Sequence, residues 1–156
     1  MMEVDRAVMA RDNRQISILL ELRANEVLAR RGLTAVQAHM LLYILHHGQD
    51  GISLTDIHRE FGYSMPALSS LVKRLREKGY VRVERCEGDD RRKLFYVTEK
   101  GVEVQAFLDR SMRQVQDQLY QGFSLEEIRT LDRMQKKMLQ NLSAHQETIS
   151  KEASEL

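Results

Sequence analysis

The chain has one cysteine, Cys86, one proline, Pro66, and no tryptophan among its 156 residues. A single cysteine excludes an intrachain disulfide framework and suits a reducing cytoplasm. We interpret Cys86 as structural rather than as an oxidant sensor. No segment approaches the roughly 18 consecutive apolar residues of a membrane span, and the first residues lack the apolar run of a secretion signal. We therefore expect a cytoplasmic protein without a membrane partner.

Patterns typical of enzymes and metal sites are also missing. The glycines Gly79, Gly88 and Gly101 stand at predicted helix ends and turns rather than in a phosphate-binding loop, and no nucleophile elbow occurs. None of the five histidines has the spacing of a zinc ligand. The sequence therefore predicts no enzyme, no metal site and no cofactor.

The net charge is only +1, so the total gives no sign of a nucleic-acid partner. The distribution of charge is more informative. Residues 31–100 hold 12 Lys and Arg against 9 Asp and Glu, whereas residues 101–156 hold 7 against 9. A locally basic region is expected of a surface that meets phosphates.

A helix, a tight turn and a second helix are predicted over residues 52–79. A Ser-x-x-Asp capping pattern at Ser53 starts the first helix, and Gly62 ends it. Ser64 caps the second helix, and Pro66 is tolerated in its first turn because the amides there have no intrahelical acceptor. This order is a helix-turn-helix.

The second helix has two different faces. Its apolar stripe consists of Leu68, Leu71, Val72 and Leu75. The other face is small or polar at its start and basic further along: Ser64, Met65, Pro66, Ala67, Ser69, Ser70, Lys73 and Arg74. Small side chains permit close approach to a DNA major groove and cations meet phosphates, so we predict that this face binds DNA. A solvated polar face without a partner is the alternative.

After the second helix the apolar residues alternate, which is typical of strands. Residues 81–86 and 94–98 predict a two-stranded ribbon joined by a loop over 87–92 with a cationic tip. Ile52 is expected to add a short third strand. A helix-turn-helix followed by a basic ribbon is a winged helix, in which the wing reaches phosphates or the minor groove.

The stretch GYSMPALSSLVKRLREKGYVRVERCEGDDRRKLFYVTEKG, residues 62–101, resembles the winged-helix core of the MarR (multiple antibiotic resistance regulator) family of bacterial transcription regulators. The matching features are a Ser-capped recognition helix, a Leu-x-x-x-Gly exit from Leu75 to Gly79, an Asp-x-Arg wing, and Thr-Glu-Lys-Gly at the start of the next helix. Length and helix order match over essentially the whole chain.

This resemblance implies a mainly α fold with a small β wing, arranged as a single domain over residues 1–156. The winged helix-turn-helix would occupy residues 33–100, with dimerisation helices at 12–32 and 101–149. The terminal helices would then bury their apolar stripes against a second copy. Their alternative role is to cover the core of their own chain.

Individual residues also acquire expected roles from the resemblance. Arg91 matches the arginine at the tip of the wing, and Asp89 matches the acid that orients it for a narrow minor groove. Arg92 and Lys93 could replace or assist Arg91. His58 stands where similar sequences usually have alanine, so we expect it to be partly buried and hydrogen-bonded.

The function implied is that of a homodimeric repressor of a palindromic double-stranded DNA operator. A small aromatic or apolar effector would release it, and Met40, Tyr43, Phe107 and Met112 are candidates to line the effector cavity. Ordinary core packing is the alternative for those four residues. Two other functions remain open: a winged-helix protein-interaction module without sequence-specific DNA binding, and a small-molecule-binding protein without DNA function.

Overall fold

The computed structural model describes residues 3–86 and 88–154, apart from the side chains of residues 89–91 and 145–150. The helices and strands follow one another in the order α1 (Arg6–Leu28), α2 (Ala35–His47), α3 (Leu54–Phe61), α4 (Met65–Glu77), β1 (Val81–Cys86), β2 (Asp89–Val97), α5 (Glu99–Leu119) and α6 (Leu125–Ser154). The predicted fold class, mainly α with a small antiparallel wing and helices at both ends, is confirmed. The chain divides into two compact units, Met1–Gln116 and Asp117–Leu156.

Helix α1 begins six residues before the predicted start at Asp12. The carboxylate of Asp5 accepts hydrogen bonds from the amides of Ala7 at 2.8 Å and Val8 at 3.4 Å, and so caps the helix. The prediction was wrong because the first turns mix polar and apolar residues, which obscures the helical period although the capping residue is present.

The core of the first unit lies among helices α1 to α5 and strand β1. Its largest fully buried side chains are Leu28, Met40, Leu41, Ile44, Ile57, Leu68, Leu75, Val81 and Leu108. The predicted stripe of α4 is confirmed, with Leu71 only partly buried. On α2 the sequence predicts a buried stripe of Ala38, Leu41, Leu42 and Leu45. Only Ala38 and Leu41 are fully buried, and Met40 and Ile44 are buried with them, since apolar residues surround most of that helix and the period does not mark one face.

The wing is a two-stranded antiparallel sheet. Its register runs from Val81 opposite Val97 to Arg85 opposite Lys93, then shifts so that Cys86 pairs with Asp89. Strand β2 therefore starts inside the loop predicted over 87–92. Ile52 contributes one bridge to Phe95, with backbone N–O distances of 3.0 and 2.8 Å, rather than a full third strand.

The second unit is built around α6. Ser124 and Glu127 form the predicted capping box, in which each backbone amide donates to the other's side-chain oxygen at 3.1 Å. The helix continues to Ser154, five residues past the predicted end near Ile149. Across the residues that the structure describes, none of the helices combines the length and apolarity needed to cross a bilayer.

Candidate nucleic-acid interface

The turn between α3 and α4 is fixed by local contacts. Ser53 and Asp56 form a complete capping box at the start of α3, and Gly62 ends the helix with a φ of 69°, a left-handed conformation that favours glycine. His58 Nδ1 lies 2.6 Å from the backbone oxygen of Tyr63. His58 is exposed, so the expectation of partial burial was wrong, although the expected hydrogen bond is present. These contacts set the approach of α3 to α4.

One face of α4 and its cap is open to solvent, and we call it the reading face. It consists of Ser64, Met65, Pro66, Ala67, Ser69, Ser70, Lys73 and Arg74, all of them exposed. Helix α4 starts where predicted, since the Ser64 hydroxyl accepts from the amide of Ala67 at 3.3 Å. Leu68, Val72 and Leu75 are buried, so the helix has no rotational freedom to turn another face outward.

A cleft of about 650 Å³ separates α3 and α4 from strand β2, and we call it the wing cleft. It is lined by Ser53, Leu54, Thr55, Asp56, Arg59, Met65, Ser69, Arg92, Lys93 and Phe95. The fold therefore brings two members of the reading face, Met65 and Ser69, to the same concavity as the predicted wing cations Arg92 and Lys93. Its charged lining is three cations and one carboxylate, which suits an anionic partner.

Two exposed polar lining residues, Thr55 and Arg59, were given no role by the sequence prediction. Arg59 lies in the last turn of α3, where a basic side chain is ordinary, so its type and position gave no distinctive signal. Arg59 comes close to Arg92 and Lys93 only because α3 packs beside the wing.

The single carboxylate of the wing cleft, Asp56, is strongly hydrogen-bonded. Its Oδ2 accepts from the Ser53 hydroxyl at 2.8 Å and from the Ser53 amide at 3.2 Å. These bonds lower the pKa of Asp56 below its ordinary value of 3.8, and the positive charges of Arg59 and Arg92 act in the same direction. The cap of α3 is therefore linked electrostatically to the wing.

Replacing Asp56 with asparagine should show the lowered pKa of Asp56 as a pH-dependent loss of stability. A carboxyl whose folded-state pKa is depressed stabilises the fold above its ordinary pKa, and that stabilisation disappears as the pH falls through the lowered value. Asp56→Asn should therefore cost about 0.5 kcal/mol at pH 7. Urea unfolding at pH 7 and near pH 2 should show the variant and the parent converging in acid. Asp50→Asn, in the exposed turn after α2, is the control; an equal loss there, or no convergence, would contradict the assignment.

The side chains of Asp89 and Arg91 lie outside the described part of the chain, so the wing-tip roles expected of them stay predictions. Of the four candidate effector residues, Met40 is fully buried and Met112 is 9% exposed, both within the core. Phe107 is partly buried under the guanidinium of Arg31, 5.1 Å from the ring centre.

Tyr43, the fourth candidate, lines a separate shallow cleft of about 360 Å³ beside His47, Arg59 and Glu60. Burial raises the pKa of the Tyr43 hydroxyl, with a contribution from Glu60. Within the described residues, no group of three or more His, Cys, Asp or Glu side chains is placed to hold a metal ion.

The helix-turn-helix, the exposed recognition helix and the two-stranded wing define the chain as a winged-helix protein. Its sequence matches a family model described as MarR family over residues 31–92. The structure is similar to the S. aureus MepR–DNA complex, with 25% identity and a TM-score of 0.80 over 89% of this chain and 99% of that chain. Residues 31–92 therefore carry the pattern of the MarR family, and the chain as a whole has the winged-helix fold of these solved structures.

Two further solved structures share the fold. The transcriptional regulator SlyA has 24% identity and a TM-score of 0.83, covering 90% of this chain and 98% of that one. A mutant MarR from E. coli, complexed with operator DNA, has 22% identity and a TM-score of 0.77, covering 84% and 93%. Each likeness covers at least 84% of this chain, a longer stretch than residues 31–92.

Proposed function

We propose that the protein is a homodimeric repressor that binds a palindromic DNA operator through the reading face and the wing. The observation that carries this proposal is the wing cleft, in which the exposed side chains of Met65 and Ser69 lie beside three cations, Arg59, Arg92 and Lys93. Small residues allow a helix to approach base edges, while flanking cations neutralise phosphates. The DNA complexes of MepR and of the mutant MarR support the same partner for this chain.

The reading face also indicates which side chains would contact the DNA backbone and which would contact the bases. Its first turns carry only short or apolar side chains, whereas Lys73 and Arg74 follow one turn later. The cations would position the helix on the backbone, and the short side chains would contact base edges directly or through water. Ser70 departs from the longer polar or basic side chains common in the family, which places more weight on DNA shape.

The proposed dimer is supported by apolar side chains that the single chain leaves in contact with solvent. On α1 they are Val8, Met9, Ile16, Ile18, Leu19 and Leu22, and on α6 they are Leu125, Met134, Met138, Leu139 and Leu142. Clusters of exposed apolar side chains such as these are typical of surfaces that a partner covers. A two-fold pair would present two recognition helices to half-sites about one helical turn apart.

Release by a small effector forms the last part of the proposal. Two candidate residues, Met40 and Met112, are core residues of the single chain, whereas Tyr43 and Phe107 are partly buried at the edge of the core. An effector would act by binding better to a conformation whose recognition helices no longer match the half-sites.

Selection from a random duplex library tests the function. The repressor should enrich a two-fold symmetric site of about 16–20 bp, as expected for half-sites one turn apart. Analytical ultracentrifugation of the same sample should show a dimer at micromolar concentration. A winged-helix protein-interaction module would instead bind DNA weakly and without sequence preference, and an unenriched library would favour that function over ours.

The wing contact can be tested at Arg91. Arg91→Ala should weaken binding to the selected site more than tenfold, about 1.4 kcal/mol, because a guanidinium in a narrow minor groove is lost. The thermal unfolding midpoint should not change. A gel shift at controlled salt concentration measures the affinity, with Arg110→Ala on the exposed surface of α5 as the matched control. Equal affinities of Arg91→Ala and the parent would remove Arg91 from the interface.

A further inference from the structure

Lys78 is the C-terminal cap residue of α4, and its ammonium group donates hydrogen bonds to other parts of the protein. Lys78 is partly buried, and its Nζ donates to the backbone oxygen of Gly32 at 2.5 Å and to Oε1 of Gln37 at 2.9 Å. Both acceptors lie more than 40 residues earlier in the chain. One side chain therefore joins the end of α4 to residues 32–37, which run from the turn after α1 into the first turn of α2 and which we call the α1–α2 segment.

The two acceptors are themselves held in place. Gln37 is 3% exposed, and its Oε1 also accepts from the amide of Thr34 at 3.2 Å as part of the capping box of α2. Gly32 adopts a φ of 67° at the end of the short 3₁₀ turn that follows α1. Because one acceptor is a backbone oxygen and the other belongs to a buried side chain held by the capping box, the ammonium of Lys78 has a fixed target.

A second set of contacts holds the same end of α4 from the side of α5. Lys100 Nζ donates to the backbone oxygen of Lys78 at 2.7 Å, and the Thr98 hydroxyl donates to the backbone oxygen of Gly79 at 2.5 Å. The C-terminal end of α4 is thus anchored both to the α1–α2 segment and to the start of α5.

Small movements at this end matter at the other end of the helix. Helix α4 has 13 residues, so it is about 20 Å long, and a tilt of about 5° at its C-terminus would displace its first turn by about 1.7 Å. Hydrogen bonds to base edges depend on sub-ångström placement, whereas a phosphate contact by a flexible cation tolerates such a shift.

We propose that Lys78 is a positioning residue for sequence recognition, which sets the angle of the reading face by anchoring α4 to Gly32 and Gln37. This inference rests on the proposed function. Two of the three ammonium donors are used by protein acceptors, so the proposed role of Lys78 is to hold α4 rather than to bind a phosphate. Its loss should therefore reduce discrimination between sequences rather than general attraction to DNA.

The test compares Lys78→Met with Lys73→Met, which removes the same charge from the exposed reading face. Affinity is measured for the site selected by the parent protein and for a scrambled duplex, each over a series of salt concentrations. Lys78→Met should lower specific affinity about tenfold or more, leave non-specific affinity within about twofold, and keep the salt dependence. Lys73→Met should weaken both affinities and reduce the salt slope by about one.

Two further variants keep the test decisive. Lys78→Arg retains the charge and the donors and should recover most of the discrimination, while Lys78→Gln replaces methionine if that variant does not fold. Circular dichroism melting of each variant separates misplacement of α4 from unfolding.

The outcomes separate the inference from the function it rests on. A parent protein that selects no sequence would overturn both. If the parent selects a site and a folded Lys78→Met or Lys78→Gln protein discriminates equally well, the positioning role alone is wrong. If the neutral variant weakens both affinities and reduces the salt slope, Lys78 contacts phosphate and the positioning role is again wrong.

Discussion

Replacing Ser69 with glutamate should reduce affinity for the selected DNA site at least 100-fold, or about 2.7 kcal/mol. Ser69 is exposed and belongs both to the reading face and to the wing cleft, where Arg92 and Lys93 also lie. A carboxylate there would meet the negative potential of the duplex, and it would neutralise part of the attraction from the neighbouring cations. The longer side chain would also keep the helix from approaching base edges.

The fold should not suffer from this change. Glutamate has a helix propensity at least as high as that of serine, so the unfolding midpoint of Ser69→Glu should equal that of the parent. Ser69→Ala removes only a short hydroxyl and should cost a few-fold in affinity at most. Gln49→Glu, in the exposed turn after α2, adds the same charge away from the reading face. Comparable binding by Ser69→Glu and Gln49→Glu would show that α4 does not enter the groove.

Replacing Gly101 with alanine should destabilise the protein by about 2 kcal/mol, although alanine is ordinarily the better helix residue by about 1 kcal/mol. A Cβ at this position would lie 2.4 Å from Cγ1 of Val97 and 2.5 Å from the backbone oxygen of Tyr80. The second contact is with backbone, so a rotamer change cannot relieve it. The start of α5 must then move away from the wing.

Urea unfolding at a fixed protein concentration measures this loss, since an oligomer's stability depends on concentration. Ala106→Gly, at an exposed position of the same helix, is the matched control and should show the ordinary cost of about 1 kcal/mol. Because Gly101 follows the Thr98 and Lys100 anchors of α4, weaker DNA binding should accompany the lower stability. A Gly101→Ala protein more stable than the parent would mean that α5 and the wing are not in the close contact described.

The helix-turn-helix could be predicted closely because its signals are local. Ser53, Gly62 and Ser64 mark boundaries that involve only neighbouring residues, and the stripe of α4 alternates clearly with a polar face. Helix α2 shows the opposite case, since an almost wholly apolar helix does not reveal from its period which residues are buried. The early start of α1 was missed for a related reason, because its exposed apolar residues do not follow a single buried stripe.

The candidate site could be predicted only in part. The exposure of the reading face could be predicted, since one helix presents these residues and their order in sequence determines their spacing, whereas their contacts with DNA stay a prediction. The wing cleft could not be predicted, because Thr55 and Arg59 come beside Arg92 only through tertiary packing. The same holds for Lys78, an apparently ordinary basic residue at a helix end whose acceptors are distant in sequence. The exposure of His58 likewise depends on how α3 packs, and its residue type does not reveal it.

The solvent-facing apolar side of α1 has a consequence for a cell that makes this protein. If the protein pairs as proposed, a newly synthesised chain would display that surface until it met another copy, so the abundance of the molecule would govern how much of it could act. In the proposed dimer, two weak half-site contacts would act together only when the protein concentration is high enough for dimers to form. Gene dosage would then shape the response as directly as any ligand does.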